Sequence, residues 1–196
     1  MSDVLVIVGA TGSQGRAAIE YFQQHEPSWH IRGLTRTAQS KAALALADSG
    51  IEIVEANLND VESLKSAFKG ASYIFAYTDF SGIVRGPEVM GRFKAGEIAA
   101  PIGAESYKIE LQQGKNIADA AATVPELNRL VYSALPGVKQ LSGGKYLQVF
   151  HFDAKAEAFQ YMLGLPELEG KVSAVHMGAF VTNAVNGFDL FKLWKV

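Results

Sequence analysis

The chain contains no cysteine, which removes disulfides, thiolate metal sites and a cysteine nucleophile together. Proline is scarce, at 6 of 196 residues, while 48% of residues are hydrophobic and 19% charged. That is the composition of a globular protein. Charge of one sign is also lacking: the formal net charge is -2, with Lys and Arg spread along the chain. No electrostatic footprint for nucleic acid or an anionic membrane results, so neither is expected as a direct partner. The four histidines, His25, His30, His151 and His176, lie far apart without metal-ligand spacing, and no metal is expected. No apolar run reaches the roughly 18 residues of a membrane helix, and no basic segment leads into a signal core. The expectation is a soluble intracellular protein, cytoplasmic, with the nucleus as a second location. The length suits one domain, residues 1–196, and is short for two.

What is present is an alternation of apolar runs and helical patterns. Asp3 to Gly9 reads as a buried parallel strand. From Ser13 the pattern turns helical, with Ala17, Ala18, Tyr21 and Phe22 on one face. HIRGLT (30–35) and IEIVEA (51–56) read as strands, with the short helix KAALALA (41–47) between them and Gly50 as its left-handed stop. Asn59 or Asp60 can cap the helix VESLKSAF, which ends at Gly70. SYIFAYT (72–78) is a fourth strand. Residues 81–104 carry five glycines and two prolines and read as irregular. A helix follows with Ile109, Ile117, Ala120, Ala121 and Val124 on one face, then the strand RLVYSAL (129–135), a helix near 153–163 and the strand VSAVHM (172–177). Such alternation predicts an α/β fold, a doubly wound parallel sheet in the order 3-2-1-4-5-6.

VGATGSQG, residues 8 to 15, sits directly behind the first strand. In such a sheet, ligands bind outside the carboxyl ends of the strands, beside strand one. Gly9 would turn the chain, Gly12 would let backbone approach a pyrophosphate, and Gly15 would let the helix pack closely. The helix amino end would add N–H groups and partial positive charge. The bland alternative is a structural glycine turn. A nucleotide-triphosphate loop is disfavoured because no Gly-Lys-Ser/Thr follows the glycines. At the end of the second strand, where an NAD site usually carries an acid, the chain reads GLTRTAQSK. Arg36 there would suit a 2′-phosphate, favouring NADP(H) over NAD(H), unless it is a solvated loop residue.

These residues, with TDF at 78–80, QGKNIADAA at 113–121, LVYSALP at 130–136 and HFDAKAE at 151–157 behind LSGGKY, resemble the NmrA-like family. That family consists of atypical short-chain dehydrogenase/reductase relatives, and the resemblance runs from Asp3 to about Asn183. It implies an NADP-binding Rossmann domain. In such proteins Gly9, Thr11, Gly12, Ser13, Gln14, Gly15 and Arg36 would hold the phosphates, and Asn57 with Leu58 would lie near the adenine. Thr78, Asp79 and Phe80 would line the cofactor path. Lys155 would reach the nicotinamide ribose, and Phe180 and Asn183 would lie near the nicotinamide.

Two departures bear on activity. Short-chain dehydrogenases use Tyr-x-x-x-Lys, and aligning Lys155 with that lysine puts His151 at the tyrosine position. Ser133 ends the fifth strand near the usual serine position. Histidine can move protons near neutral pH, so Lys155, His151 and Ser133 form the candidate catalytic set; the plain alternative makes His151 a helix-start residue. Tyr107 reads as surface or edge packing. The second departure is length: after the sixth strand only GAFVTNAVNGFDLFKLWKV follows, and the substrate-covering C-terminal region is expected to be short or absent. Two functions follow. One is a redox-responsive NADP(H) sensor acting on a regulatory protein partner. The other is an NADPH-dependent oxidoreductase acting on a small carbonyl or activated double bond. A third, lesser possibility is a shortened relative without efficient function.

Overall fold

The computed structural model describes residues 2–98 and 101–178. The elements run β1 (Val4–Val8), α1 (Ser13–His25), β2 (His30–Thr35), α2 (Lys41–Asp48), β3 (Glu52–Glu55), α3 (Val61–Phe68) and β4 (Tyr73–Ala76). They continue α4 (Phe80–Arg85), α5 (Pro87–Lys94), α6 (Ile102–Ala122), β5 (Arg129–Ala134), α7 (Val138–Leu141), α8 (Phe150–Leu163), a short turn of 3-10 helix at Pro166–Leu168, and β6 (Val172–His176). The six strands form one sheet, β3-β2-β1-β4-β5-β6, every neighbouring pair parallel. This is the doubly wound order expected from the alternation.

Side-chain alternation along a strand explains why β1 is apolar throughout. Leu5 and Ile7 face α1 and pack with Ile19, Ile31 and Ile51. Val6 and Val8 face the other layer and pack with Leu64 and Phe68 of α3 and Ile117 and Ala121 of α6. Gly50 has φ +88, the left-handed stop expected after α2. Of the two candidate caps for α3, Asp60 takes the role, its carboxylate accepting from the N–H groups of Glu62 (3.0 Å) and Ser63 (3.3 Å).

Three expectations need correction. Residues 81–104 are not irregular throughout: they form α4, α5 and the start of α6. Asp79 caps α4 by accepting from Gly82 N–H at 2.9 Å, extended Gly86 ends that helix, and Pro87 opens α5 where its missing N–H is not needed. The glycines and prolines mark helix ends here, not a loop. The helix near 153 begins three residues earlier, at Phe150, with no side-chain cap to signal it. On α1 the packed face is Gly15, Ala18, Ile19 and Phe22, whereas Tyr21 is 55% exposed and stacks on His25.

Helices α6 and α8 are in close contact because both present small residues. A Cβ on Gly114 would overlap that of Ala158 and press toward the Tyr132 hydroxyl at 3.4 Å. Gly114→Ala should therefore destabilise the protein by about 1–3 kcal/mol, the usual cost of overpacking. Gly91→Ala, in α5 with open space around it, should instead stabilise by about 0.5–1 kcal/mol through helix propensity. Urea denaturation of the two variants checks this opposition of sign.

Candidate functional site

The carboxyl ends of β1 and β4 are neighbours in the sheet and open onto the glycine loop. Gly9 has φ +69, so the turn out of β1 uses a left-handed conformation that side chains resist. A Cβ on Gly15 would run into the Gly9 carbonyl and lie 2.8 Å from Ala10 Cα, which is the close helix approach expected there. Gly12 caps α1 in an extended conformation. No side chain caps this helix and no acid stands in its first turn, so the amides of Ser13, Gln14 and Gly15 carry an uncompensated partial positive charge. Thr11 is half-buried and Ser13 exposed. The buried Oε1 of Gln14 has no hydrogen-bond partner among the described residues.

At the end of β2, Arg36 is exposed and forms no ion pair among the described residues. The loop after it is held by Glu55, whose carboxylate accepts from Ala38 N–H at 3.0 Å and which stands opposite Thr35 in the β2–β3 register. Sequence reasoning passed over this acid. The predicted strand order put the end of IEIVEA next to the end of HIRGLT, and that adjacency was the available signal.

The Asn57–Leu58 turn is pinned to α6. Asn57 Oδ1 accepts from Asn59 N–H (3.0 Å), the Leu58 carbonyl accepts from Asn116 Nδ2 (2.7 Å), and Asn59 Oδ1 accepts from Gln113 Nε2 (2.9 Å). Two side chains of the QGKN stretch thus position the turn.

Lys155 lies at the centre of a buried polar cluster. Its ammonium donates to the Thr78 carbonyl (2.6 Å), to Thr78 Oγ1 (2.9 Å) and to Glu110 Oε1. Thr78 Oγ1 also donates to Glu110 Oε1 (2.8 Å) and lies 3.1 Å from the Tyr132 hydroxyl. Glu110 is 0% exposed, and its Oε2 has no partner among the described residues. Burial pushes its carboxyl up, against the opposing pull of the Lys155 ammonium. Sequence reading missed Glu110. It falls on the buried stripe Ser106, Glu110, Gln113, Gly114 and Ile117 of α6, so an acid at helical spacing on an inner face was the signal.

The remaining candidates are dispersed. His151, one turn before Lys155, is exposed and contacts the rings of Phe80 (5.6 Å between centroids) and Phe152 (4.7 Å). Partial burial, and then the Lys155 charge, hold its imidazole below the ordinary value, with Asp153 acting the other way. Ser133 is buried, but alternation along β5 sends it to the face opposite Tyr132, and no hydrogen bond among the described residues joins it to Lys155. Asp79 is exposed and serves as the α4 cap, while Phe80 is half-buried against His151. Tyr107 is half-buried, and its hydroxyl donates to Glu157. Phe180 and Asn183 lie outside the described residues.

The family model for the NmrA-like family matches residues 1–193. The chain belongs to the NmrA-like family. It is 29% identical over 165 residues to an NmrA-like family domain-containing oxidoreductase of Cladobotryum sp, covering 84% of this chain and 44% of that protein. A relative with the same description from Aspergillus japonicus is 32% identical over 162 residues, covering 83% and 43%. This NmrA-like chain thus spans about half the length of the curated relatives it matches, or somewhat less. Among solved structures it is similar to NmrA, a negative transcriptional regulator, with a TM-score of 0.66 at 21% identity, covering 93% of this chain and 48% of that one. NmrA has been solved in complex with NAD and with NADP. At that identity the likeness carries the fold.

Two outcomes test the Lys155 cluster of this family member. Removing one partner strands a buried charge, so Glu110→Leu should cost about 3–5 kcal/mol. The double variant Glu110→Leu/Lys155→Met should recover most of that loss in a double-mutant cycle read by urea denaturation. The His151 imidazole should titrate below 6.5 by NMR. A histidine lowered in the folded state is neutral at neutral pH; the stability tied to it is present above about 6.5 and lost as pH falls toward the lowered value.

Proposed function

We propose that residues 1–196 form one NADP(H)-binding domain of a cytoplasmic protein that senses cofactor state and reports it to a regulatory partner. The glycine loop suits the pyrophosphate, since Gly9 and Gly12 carry no side chain of their own to bar its approach and the uncapped amino end of α1 adds positive charge. Arg36 would meet the 2′-phosphate by charge-assisted hydrogen bonds. Asn57 and Leu58 would border the adenine, and Asp79 and Phe80 the path toward Lys155. A bound NADP(H) would supply hydride chemistry at its nicotinamide. No helix of the described residues is long and apolar enough to cross a membrane.

The observation that carries the sensor reading is the state of Lys155. An ammonium has three N–H donors, and three hydrogen bonds to Thr78 and Glu110 engage it already. Contact with ribose hydroxyls would draw at least one donor away, and if Glu110 gives it up, a fully buried carboxyl loses its counter-charge. Occupancy would then be felt where α6 meets α8, which is what a sensor needs. His151 does not offer a ready proton: held neutral at neutral pH, it accepts one more readily than it donates. The second reading, an NADPH-dependent oxidoreductase, is favoured by the description of the curated relatives as oxidoreductases.

Calorimetry should show NADP⁺ binding more tightly than NAD⁺, with Arg36→Glu reversing or abolishing the preference by roughly ten- to a hundredfold. Glu55→Gln, which removes a negative charge from the Arg36 loop, should strengthen NADP⁺ and leave NAD⁺ nearly unchanged. Under the sensor reading, NADPH is not consumed with a panel of small carbonyls. Turnover that falls by about 10²–10⁴-fold in His151→Phe would establish the oxidoreductase instead.

A further inference from the structure

We propose that Tyr77 is a gate on the glycine loop, occupying the pyrophosphate position until the cofactor displaces it. The inference rests on the NADP(H) reading above. Tyr77 stands one residue beyond β4, and Gly9 one residue beyond β1. These strands are neighbours at the point where the sheet order reverses. Ligands of doubly wound sheets bind in the crevice at that point. Here the crevice is bridged from within the chain, because the Tyr77 hydroxyl donates to the Gly9 carbonyl at 2.9 Å.

The glycines locate the hydroxyl more closely. A Cβ on Gly9 would lie 2.6 Å from it, and a Cβ on Gly12 would collide with it outright. The tyrosine therefore fills the volume that both missing side chains leave open. That volume is what lets a pyrophosphate approach the backbone of such a loop. Alternation along β4 aims Tyr77 there: it follows Phe75 on the α1 side, with ring centroids 6.4 Å apart, while Thr78 turns to Lys155 on the other side. Burial and then the Asp79 carboxylate hold the phenol above its ordinary value, outweighing Arg36, so the proton that bonds Gly9 is retained at neutral pH.

A phenol and a pyrophosphate cannot share this space. Binding must break the Tyr77–Gly9 bond and rotate the ring away, so the competent conformation is a fraction of the free population and apparent affinity is reduced by that fraction. An aromatic side chain closing a glycine loop thus raises the cofactor concentration at which the domain is half filled, a useful property in a sensor.

The test is NADP⁺ binding by calorimetry to the unmutated protein, Tyr77→Phe and Tyr77→Ala. Tyr77→Ala should bind roughly three- to tenfold more tightly, and Tyr77→Phe should gain less because its ring still fills the loop. In the unmutated protein, NMR of labelled tyrosine should show the Tyr77 ring resonance shifting as NADP⁺ saturates, which does not depend on any variant folding. If the unmutated protein binds NADP⁺ while Tyr77→Ala binds equally or more weakly, or the ring resonance stays in place, the gate is wrong and the cofactor reading stands. If neither the unmutated protein nor Tyr77→Ala binds NADP⁺, both are overturned.

Discussion

The carboxyl group of Glu110 constrains the region around it. It is wholly enclosed, and an enclosed carboxyl must either find a cation or stay protonated. Lys155 supplies the cation from α8 and Thr78 a hydroxyl from the end of β4, so one acid on α6 ties together three elements from distant parts of the chain. The small residues Gly114 and Ala158 then have a clear purpose. They let α6 and α8 approach closely enough for Lys155 to pair with Glu110, and a larger side chain at Gly114 would push the helices apart.

The same strand end serves both halves of the site. Tyr77 and Thr78 are consecutive, and alternation sends them to opposite faces of the sheet. Tyr77 reaches the glycine loop on the α1 side, and Thr78 reaches Lys155 on the α6–α8 side. Asp79 follows as the cap of α4. A displacement of Tyr77 thus acts on backbone shared with Thr78, whose carbonyl and hydroxyl both accept from Lys155. If the gate opens as proposed, the single peptide bond between Tyr77 and Thr78 would join the glycine loop to the Lys155 cluster, a short physical route between one event and the other.

Much of this architecture was legible from the residues. VLVIV reads as a doubly buried strand because every position is apolar, and the strand order follows from the alternation of strand and helix. The glycine loop is legible because its spacing is local. What sequence reasoning missed is a matter of pairing across the fold. Glu110 looks like one more charge on a helix until the packing of α6 puts it on the inner face, and Tyr77 looks like a strand residue until β4 is set beside β1. Glu55 is 19 positions from Arg36 and meets its loop only through the β2–β3 register. Helices α4 and α5 were hidden for the opposite reason: glycine and proline mark helix ends as well as loops, and in six- to eight-residue helices the ends dominate the composition.

The relation between Lys155 and His151 sets the chemical character of the site. Partial burial works against a positive charge on the imidazole, and the ammonium one turn away on α8 adds to that. A tyrosine in the same place would lose its proton more easily beside that ammonium, giving a charged phenolate where the histidine gives a neutral ring. The lysine thus acts in the same direction on either group, toward loss of the proton, and only the charge of the product differs. After burial, the lysine that would lower a tyrosine and ready it for proton transfer helps to keep this histidine neutral. Meanwhile the lysine is engaged with Glu110 and Thr78, away from either ring nitrogen in its hydrogen bonding. The two side chains thus have separate surroundings on one helix: Lys155 the buried Glu110–Thr78 cluster, and His151 the rings of Phe80 and Phe152.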